Sequence, residues 1–214
     1  MMRHHSFSVS LAKNPAIKIN VTQGHFSTSH AHMTHYLDLN NLKTNALIAK
    51  EVAEELAQPY LAGALVDTIV CMEGTEVIGA YMAEVLLENG TLINNEEEAI
   101  HVVIPLRNTE RKLMFPADLQ KLISHRNIIL LISSLSTGIT LNSALDCLSY
   151  YGAQLVGISA LFNANEASNG QKIFAMFTKN DILGYELFRP GDCSMCQEGQ
   201  KLDGIIIHDG CITM

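Results

Sequence analysis

"NIILLISSLSTGITL", Asn127 to Leu141, is the stretch that decides how this chain folds. The unbroken apolar run from Ile128 to Ile132 reads as a strand buried on both faces. Small residues follow and make a turn, after which "TLNSALDCLSYYG" (Thr140 to Gly152) has helical spacing and closes on a glycine. A strand that turns into a helix in this way can hold a phosphate. The first N–H groups of the helix have no backbone partner, and the dipole is positive there. Gly138 allows close backbone approach, and Ser136, Thr137 and Thr140 place hydroxyl donors around Ile139. The plainer alternative makes Thr140 a helix cap and Gly138 a turn former. No Gly-Lys-Ser/Thr follows a spaced glycine, so the loop is not of the Walker type.

The same order recurs on either side. Upstream, "DTIVCMEGTEVIGAYMAEVLLENG" gives the strand "TIVCM", a turn at Glu73, Gly74 and Thr75, and a helix ending at Gly90. "AIHVVIP" is a further buried strand, and the polar, partly basic "LRNTERKLMFPADLQ" reads as a loop. Downstream, "QLVGISALF" and "KIFAMFT" read as two more strands. "LKTNALIAKEVAEELAQ" sets Ile48, Val52 and Leu56 on one helical face beside Ala49 and Ala53. Near the start, "FSVSL" (Phe7 to Leu11) and "IKINV" (Ile17 to Val21) alternate as half-buried strands around "AKNP". Strands alternating with amphipathic helices predict an α/β fold, a mainly parallel twisted sheet flanked by helices, with a small N-terminal β extension. The expected division is 1–40 for the extension and 41–214 for the α/β domain with its tail, and the weak breaks at Gly170 and "RPGD" (Arg189 to Asp192) are not linkers.

Composition narrows the classes of function. At 214 residues, with 48% apolar and 17% charged residues, the chain can build a sizeable ordered core. A formal net charge of −8 argues against wrapping nucleic acid, whose phosphates need a basic face. No run approaches the ~18 apolar residues of a membrane span, so no membrane partner is expected. "MMRHHSFSVS" lacks the apolar stretch of a secretory signal, and five cysteines at odd spacings suit a reducing compartment; a cytoplasmic protein is the expectation.

Two clusters carry further chemistry. "HAHMTHY" brings His30, His32, His35 and Tyr36 together, with His25 upstream. As a strand it would put His30 and His32 on one face, where they could bind a metal, line an anion pocket, or simply face solvent. In the tail, Cys193 and Cys196 form a Cys-x-x-Cys, and His208 and Cys211 follow at His-x-x-Cys spacing, a set that could hold tetrahedral zinc. Against this, "GIIIH" reads as a short buried strand that fixes His208 elsewhere. Cys71 and Cys147 read as core thiols.

The string "ILLISSLSTGITLNSALDCLSYYGAQLVGISALF" resembles the PRPP-binding region of type I phosphoribosyltransferases. "DTIVCMEGTEVIGAYMAEVL" resembles that family's pyrophosphate-loop segment, and "GHFSTSHAHMTHYLDL" is similar to the start of its orotate-type members. "CSMCQEGQKLD" resembles the Cys-x-x-Cys ending of some of them, so the likeness runs from about Gly24 onward. The resemblance implies that Ser136 to Thr140 hold a 5′-phosphate and that Glu73, Gly74, Thr75 and Glu76 form the pyrophosphate loop. It also implies that Arg107, Arg111 and Lys112 lie in a mobile catalytic loop, and that His30, His32, His35 and Tyr36 lie on the base side. The expected reaction is transfer of a 5-phosphoribosyl group from PRPP to a pyrimidine base, with Mg²⁺, in a homodimer. Departures are as informative. The two acids that grip the ribose in the family fall on Ile132 and Ser133 in one alignment, and on Ser133 and Ser134 in the other. The family's Lys-x-His-Gly pattern is missing from the basic loop, and its Ser-Gly turn reads His30-Ala31. Impaired transfer is one expectation; a non-catalytic sensor of nucleotides or sugar phosphates is the alternative.

Overall fold

The computed structural model describes residues 5–90, 99–110, 112–165, 172–207 and 210–214. Its centre is a parallel sheet of five strands: β4 (Thr68–Cys71), β5 (His101–Val103), β8 (Asn127–Leu135), β9 (Gln154–Asn163) and β10 (Ile173–Thr178). The strands lie in the order β5-β4-β8-β9-β10. Chain direction across the sheet therefore reverses between β4 and β8, and ligands of open α/β sheets bind at that switch point, beyond the carboxyl ends.

Helices α2 (Ala46–Ala57), α3 (Glu76–Glu88) and α4 (Ile139–Tyr150) cover the sheet. The run that opens β8 shows why both faces need cover. Ile129 and Leu131 join one apolar cluster with Val52 and Leu56 of α2 and Met82 of α3. Ile128, Leu130 and Ile132 join the opposite cluster with Leu141, Ala144 and Leu148 of α4. All five β8 residues are fully buried, and each such burial contributes about 1.5–3 kcal/mol relative to exposure. At the amino end, the buried Asp67 carboxylate accepts from the Asn127 backbone N at 2.9 Å and from Asn127 Nδ2 at 2.7 Å, pinning the register of β4 against β8.

A second, six-stranded sheet comes from both ends of the chain. β1 (Ser6–Ser10), β2 (Lys18–Ser27) and β3 (His32–Asp38) form the expected antiparallel start. β11 (Leu187–Phe188) pairs with β3, and β12 (Gly204–Ile207) runs parallel to β2 and carries β13 (Gly210–Thr213). Strands from both ends of the chain thus build one sheet, with β11, β12 and β13 completing what β1, β2 and β3 begin. The two sheets share one core: Ile17, Ile19 and Val21 pack in the cluster that holds Leu161, Phe162 and Phe177.

Two further differences are local. The helix expected from Leu42 onward is broken into α1 (Asn40–Thr44) and α2, because the Asn45 side chain accepts from the Leu47 and Ile48 N–H groups and starts a new helix. The basic loop contains a short hairpin, β6 (Leu106–Arg107) against β7 (Leu113–Met114). The Asn108 side chain closes its turn by accepting from the Glu110 and Lys112 N–H groups. The short helix α5 (Ser194–Gln197) lies in the tail. Among the described residues, no helix is long and apolar enough to cross a membrane.

Candidate functional site

Two turns meet at the switch point. Beyond β8, Gly138 is the residue that starts α4, with φ 80, and no side chain caps the helix. Thr140 sits in the first helical turn rather than at the cap, so the plainer reading of it as a capping residue does not hold. Ser136, Thr137, Gly138, Ile139 and Thr140 are all at least partly open to solvent. The first amides of a 12-residue helix therefore end in an accessible turn, the arrangement that suits an anion. The left-handed φ at this position favours glycine, and a Cβ there would also press lightly on Asn165 Nδ2, 3.3 Å away.

Beyond β4, Glu73 (φ 60) and Gly74 (φ 80) are both left-handed. Such backbone in a glutamate is strained, and strain of this kind concentrates at functional turns. Thr75 is fully buried, and its hydroxyl bonds the carbonyls of Met72 (3.0 Å) and Leu131 (3.3 Å), tying the turn to both strands. Thr75 is therefore a brace of the loop, while Glu73, Gly74 and Glu76 remain at least partly open. Glu73 Oε2 accepts from the Ser134 backbone N at 3.4 Å, across the switch point. The two serines expected on the ribose side differ: Ser133 is buried at 5% exposure, and Ser134 is open.

Positive charge comes from two directions. Lys43, on α1, donates to the Glu73 carbonyl at 3.2 Å. Its sequence offered no hint, because a lone lysine 30 residues upstream of the turn looks like any surface charge. Arg107 lines a cleft of about 250 Å³ together with Met72, Glu73, Pro105 and Leu113, so the β6–β7 hairpin walls the β4 end of the site. Lys112 pairs with Glu110 at 3.2 Å on the exposed turn of that hairpin. Arg111 lies outside the described residues.

The expected base-side group does not converge. His30 lies in the exposed turn before β3, not on a strand beside His32, because the Thr28 hydroxyl accepts from the His30 and Ala31 N–H groups and bends the chain there. Alternation along β3 sends His35 to the buried face, where it stacks on Tyr185 with ring centroids 6.1 Å apart. Tyr36 points the other way and packs on Phe26. His32 turns toward His25 and the tail instead.

There the tail cysteines find partners that spacing alone did not suggest. His25 Nε2 lies 3.0 Å from His32 Nδ1, 3.5 Å from Cys193 Sγ and 3.6 Å from Cys196 Sγ. Cys196 Sγ lies 3.3 Å from His32 Nδ1. Cys211 is not in this group. It lies in β13 opposite Ile206, packed among Phe26, Met33 and Tyr36. His208 lies outside the described residues. The pairings of β11 with β3 and of β12 with β2 bracket Cys193 and Cys196 and bring them to His25 and His32, contacts that no local pattern encodes. Cys71 and Cys147 are core thiols; burial pushes Cys71 up to about 12 and also raises Cys147.

The fold is that of the type I phosphoribosyltransferases. UMP synthase of Leishmania donovani matches with a TM-score of 0.51 at 18% identity, over 69% of this chain and 30% of that one. A phosphoribosyltransferase of Corynebacterium diphtheriae matches with a TM-score of 0.51 at 13% identity, over 74% and 90%. Orotate phosphoribosyltransferase of Mycobacterium tuberculosis H37Rv, solved with Fe(III) dicitrate, matches with 0.50 at 10% identity, over 70% and 83%. This chain thus spans under a third of the length of the Leishmania protein. No family model and no curated protein sequence matches it.

Proposed function

We propose that this protein binds a 5-phosphoribosyl ligand at the β4–β8 switch point and acts as an orotate-type phosphoribosyltransferase. The observation that carries the reading is the pairing of two turns there: an open helix start at Gly138 and a left-handed loop at Glu73–Gly74 beside Lys43. The amides and hydroxyls of residues 136–140 would hold the 5′-phosphate. Ser134 would face the ribose, as a neutral partner in place of a carboxylate.

In the transfer, a pyrimidine nitrogen forms a bond to C1 of the ribose and gives up its proton to solvent, while the C1–O bond to pyrophosphate breaks and its electron pair leaves with pyrophosphate. Negative charge grows on that leaving group. Lys43 at the loop and Arg107 in the cleft wall supply fixed positive charge for it. Magnesium takes few protein carboxylates and shares its other positions among phosphates and waters; Glu73 is the cleft carboxylate that fits it, and the ion would neutralise the leaving pyrophosphate. A homodimer, with the basic hairpin reaching a neighbouring subunit, belongs to the same proposal.

The second reading is a sensor that binds a nucleotide or sugar phosphate without turnover. It is favoured by one observation, that Ile132, Ser133 and Ser134 supply no carboxylate at the ribose edge. Pyrophosphate release from PRPP and Mg²⁺, followed with orotate, uracil and other bases, separates the two. Turnover with a pyrimidine supports the transferase. Tight calorimetric binding of a nucleoside monophosphate with no turnover supports the sensor, and neither result rejects both.

A further inference from the structure

We infer that His25, His32, Cys193 and Cys196 form a structural zinc site that clips the tail onto the N-terminal sheet. One ligand atom from each of the four lies within 4.8 Å of every other. A tetrahedral zinc with nitrogen at ~2.0–2.1 Å and sulfur at ~2.3 Å sets its ligand atoms about 3.3 Å (N to N) and about 3.5 Å (N to S) apart. The separations found are 3.0 Å for the nitrogen pair and 3.3 to 3.6 Å for three of the four nitrogen–sulfur pairs, with the fourth and the sulfur pair within 4.8 Å. Four side chains from β2, β3 and the ends of α5 thus mark the corners of one small tetrahedron.

The surroundings orient these ligands. His25 Nδ1 lies 3.1 Å from the Gln200 carbonyl, an acceptor only, so Nδ1 carries the proton and Nε2 offers its lone pair inward. The chain on both sides of His25 is held by Asp203: its carboxylate accepts from the His25 N at 2.8 Å, and its own N donates to the His25 carbonyl at 2.8 Å. His25 and Cys193 are almost fully buried, at 2% and 1% exposure. The thiols are weak hydrogen-bond partners, so a shared cation explains why both cysteines converge on the two imidazoles better than mutual pairing does.

The donor set names the ion and its role. Thiolate and imidazole suit zinc and are wrong for magnesium or calcium. All four tetrahedral positions are filled by protein, which leaves none for a reacting water and makes the site structural. The segment it holds needs such a tie. From Arg189 to Asp203, Cys193 is the only buried apolar residue, and the only α-helix is the four-residue α5. Apolar packing alone does little for such a stretch, and metal binding adds directly to its folding free energy.

The test uses the full-length protein purified without chelator. Metal analysis should find a single zinc per chain, and cobalt(II) in its place should give the visible bands of a tetrahedral sulfur–nitrogen site. Cys193→Ser, Cys196→Ser and His32→Ala should lose the metal, while Cys211→Ser and His30→Ala should keep it. A strong chelator should lower the Tm of the wild-type protein and leave that of His32→Ala unmoved. Should the cysteine variants fail to fold, X-ray absorption on the wild-type zinc form decides, with two sulfur and two nitrogen ligands expected. The inference is overturned by wild-type protein that takes up neither zinc nor cobalt, by a Cys193–Cys196 disulfide in anaerobically purified material, by zinc retained in either cysteine variant, or by a different ligand shell.

Discussion

Glu73 and Ser134 are joined across the switch point, the glutamate Oε2 accepting from the serine backbone N at 3.4 Å. Glu73 lies in the turn after β4 and Ser134 near the end of β8, so the carboxylate at this corner comes from the β4 side rather than from β8, where the sequence resemblance would put ribose-binding acids. Glu73→Gln keeps the shape and removes the charge. PRPP binding with Mg²⁺ should weaken by about tenfold, the difference between a charged and a neutral contact. Without Mg²⁺ the sign should reverse, because a carboxylate repels phosphate when no cation lies between them. Calorimetry with and without Mg²⁺ checks both halves.

Restoring an acid at the open position should act the other way. Ser134→Asp is expected to tighten PRPP binding roughly fivefold in Mg²⁺ and to give no gain without it, since the new carboxylate stands beside Glu73. The same change at buried Ser133 should instead lower Tm, because a carboxylate would be desolvated there. Binding isotherms and thermal melts of the two variants, side by side, give the comparison.

Lys43 is half-buried, and its one described hydrogen bond goes to the Glu73 carbonyl. Lys43→Gln should therefore cost less than about 1 kcal/mol of stability. It should nevertheless weaken pyrophosphate binding about tenfold, through loss of a charged donor. Denaturant unfolding and pyrophosphate titration of the same preparation separate the two effects.

Inside the core, the Tyr60 hydroxyl and Ser159 Oγ lie 2.9 Å apart, both residues being buried. Burial pushes the Tyr60 phenol up to about 12, against the opposing pull of Ser159, so it stays protonated throughout the working range. Tyr60→Phe should destabilise by about 1–2 kcal/mol, as it strands the serine hydroxyl. The double variant with Ser159→Ala should be less destabilised than the sum of the singles, measured as a denaturant-unfolding cycle.

His35 supplies a pH signature. Its Nδ1 lies 2.8 Å from Thr34 Oγ1, whose own proton goes to the Gly184 carbonyl, so the imidazole is the donor. Burial lowers its pKa below the ordinary value of 6.5. The unfolded chain therefore protonates first as pH falls, and stability drops from about pH 6.5 downward until the folded imidazole titrates as well. His35→Phe should flatten this part of the Tm–pH curve relative to wild type. An unchanged slope would assign the acid sensitivity to other groups.

The parallel sheet was legible because Ile128 to Ile132 and their neighbours carry period and polarity together, and burial on two faces leaves that pattern few other uses. The turn at Gly138 was legible for a similar reason, since a small-residue run between strand and helix is a local signal. The partners of Cys193, the approach of Lys43 and the reach of Glu73 were not. Each depends on strands or helices far apart in the chain, and side-chain type says nothing about which distant backbone will lie alongside. The histidine stretch left its alternatives open because closeness in sequence says little about shared surroundings, and a turn and a pleat send its members to three different places.

The outer sheet couples residues separated by up to 178 positions, as between His25 and Asp203. During synthesis β2 leaves the ribosome with the edge meant for β12 bare, and it waits until β12 itself has emerged before that edge is covered. Deleting β12 and β13 would thus damage the sheet that β2 begins, turning a trimmed chain into a sticky one.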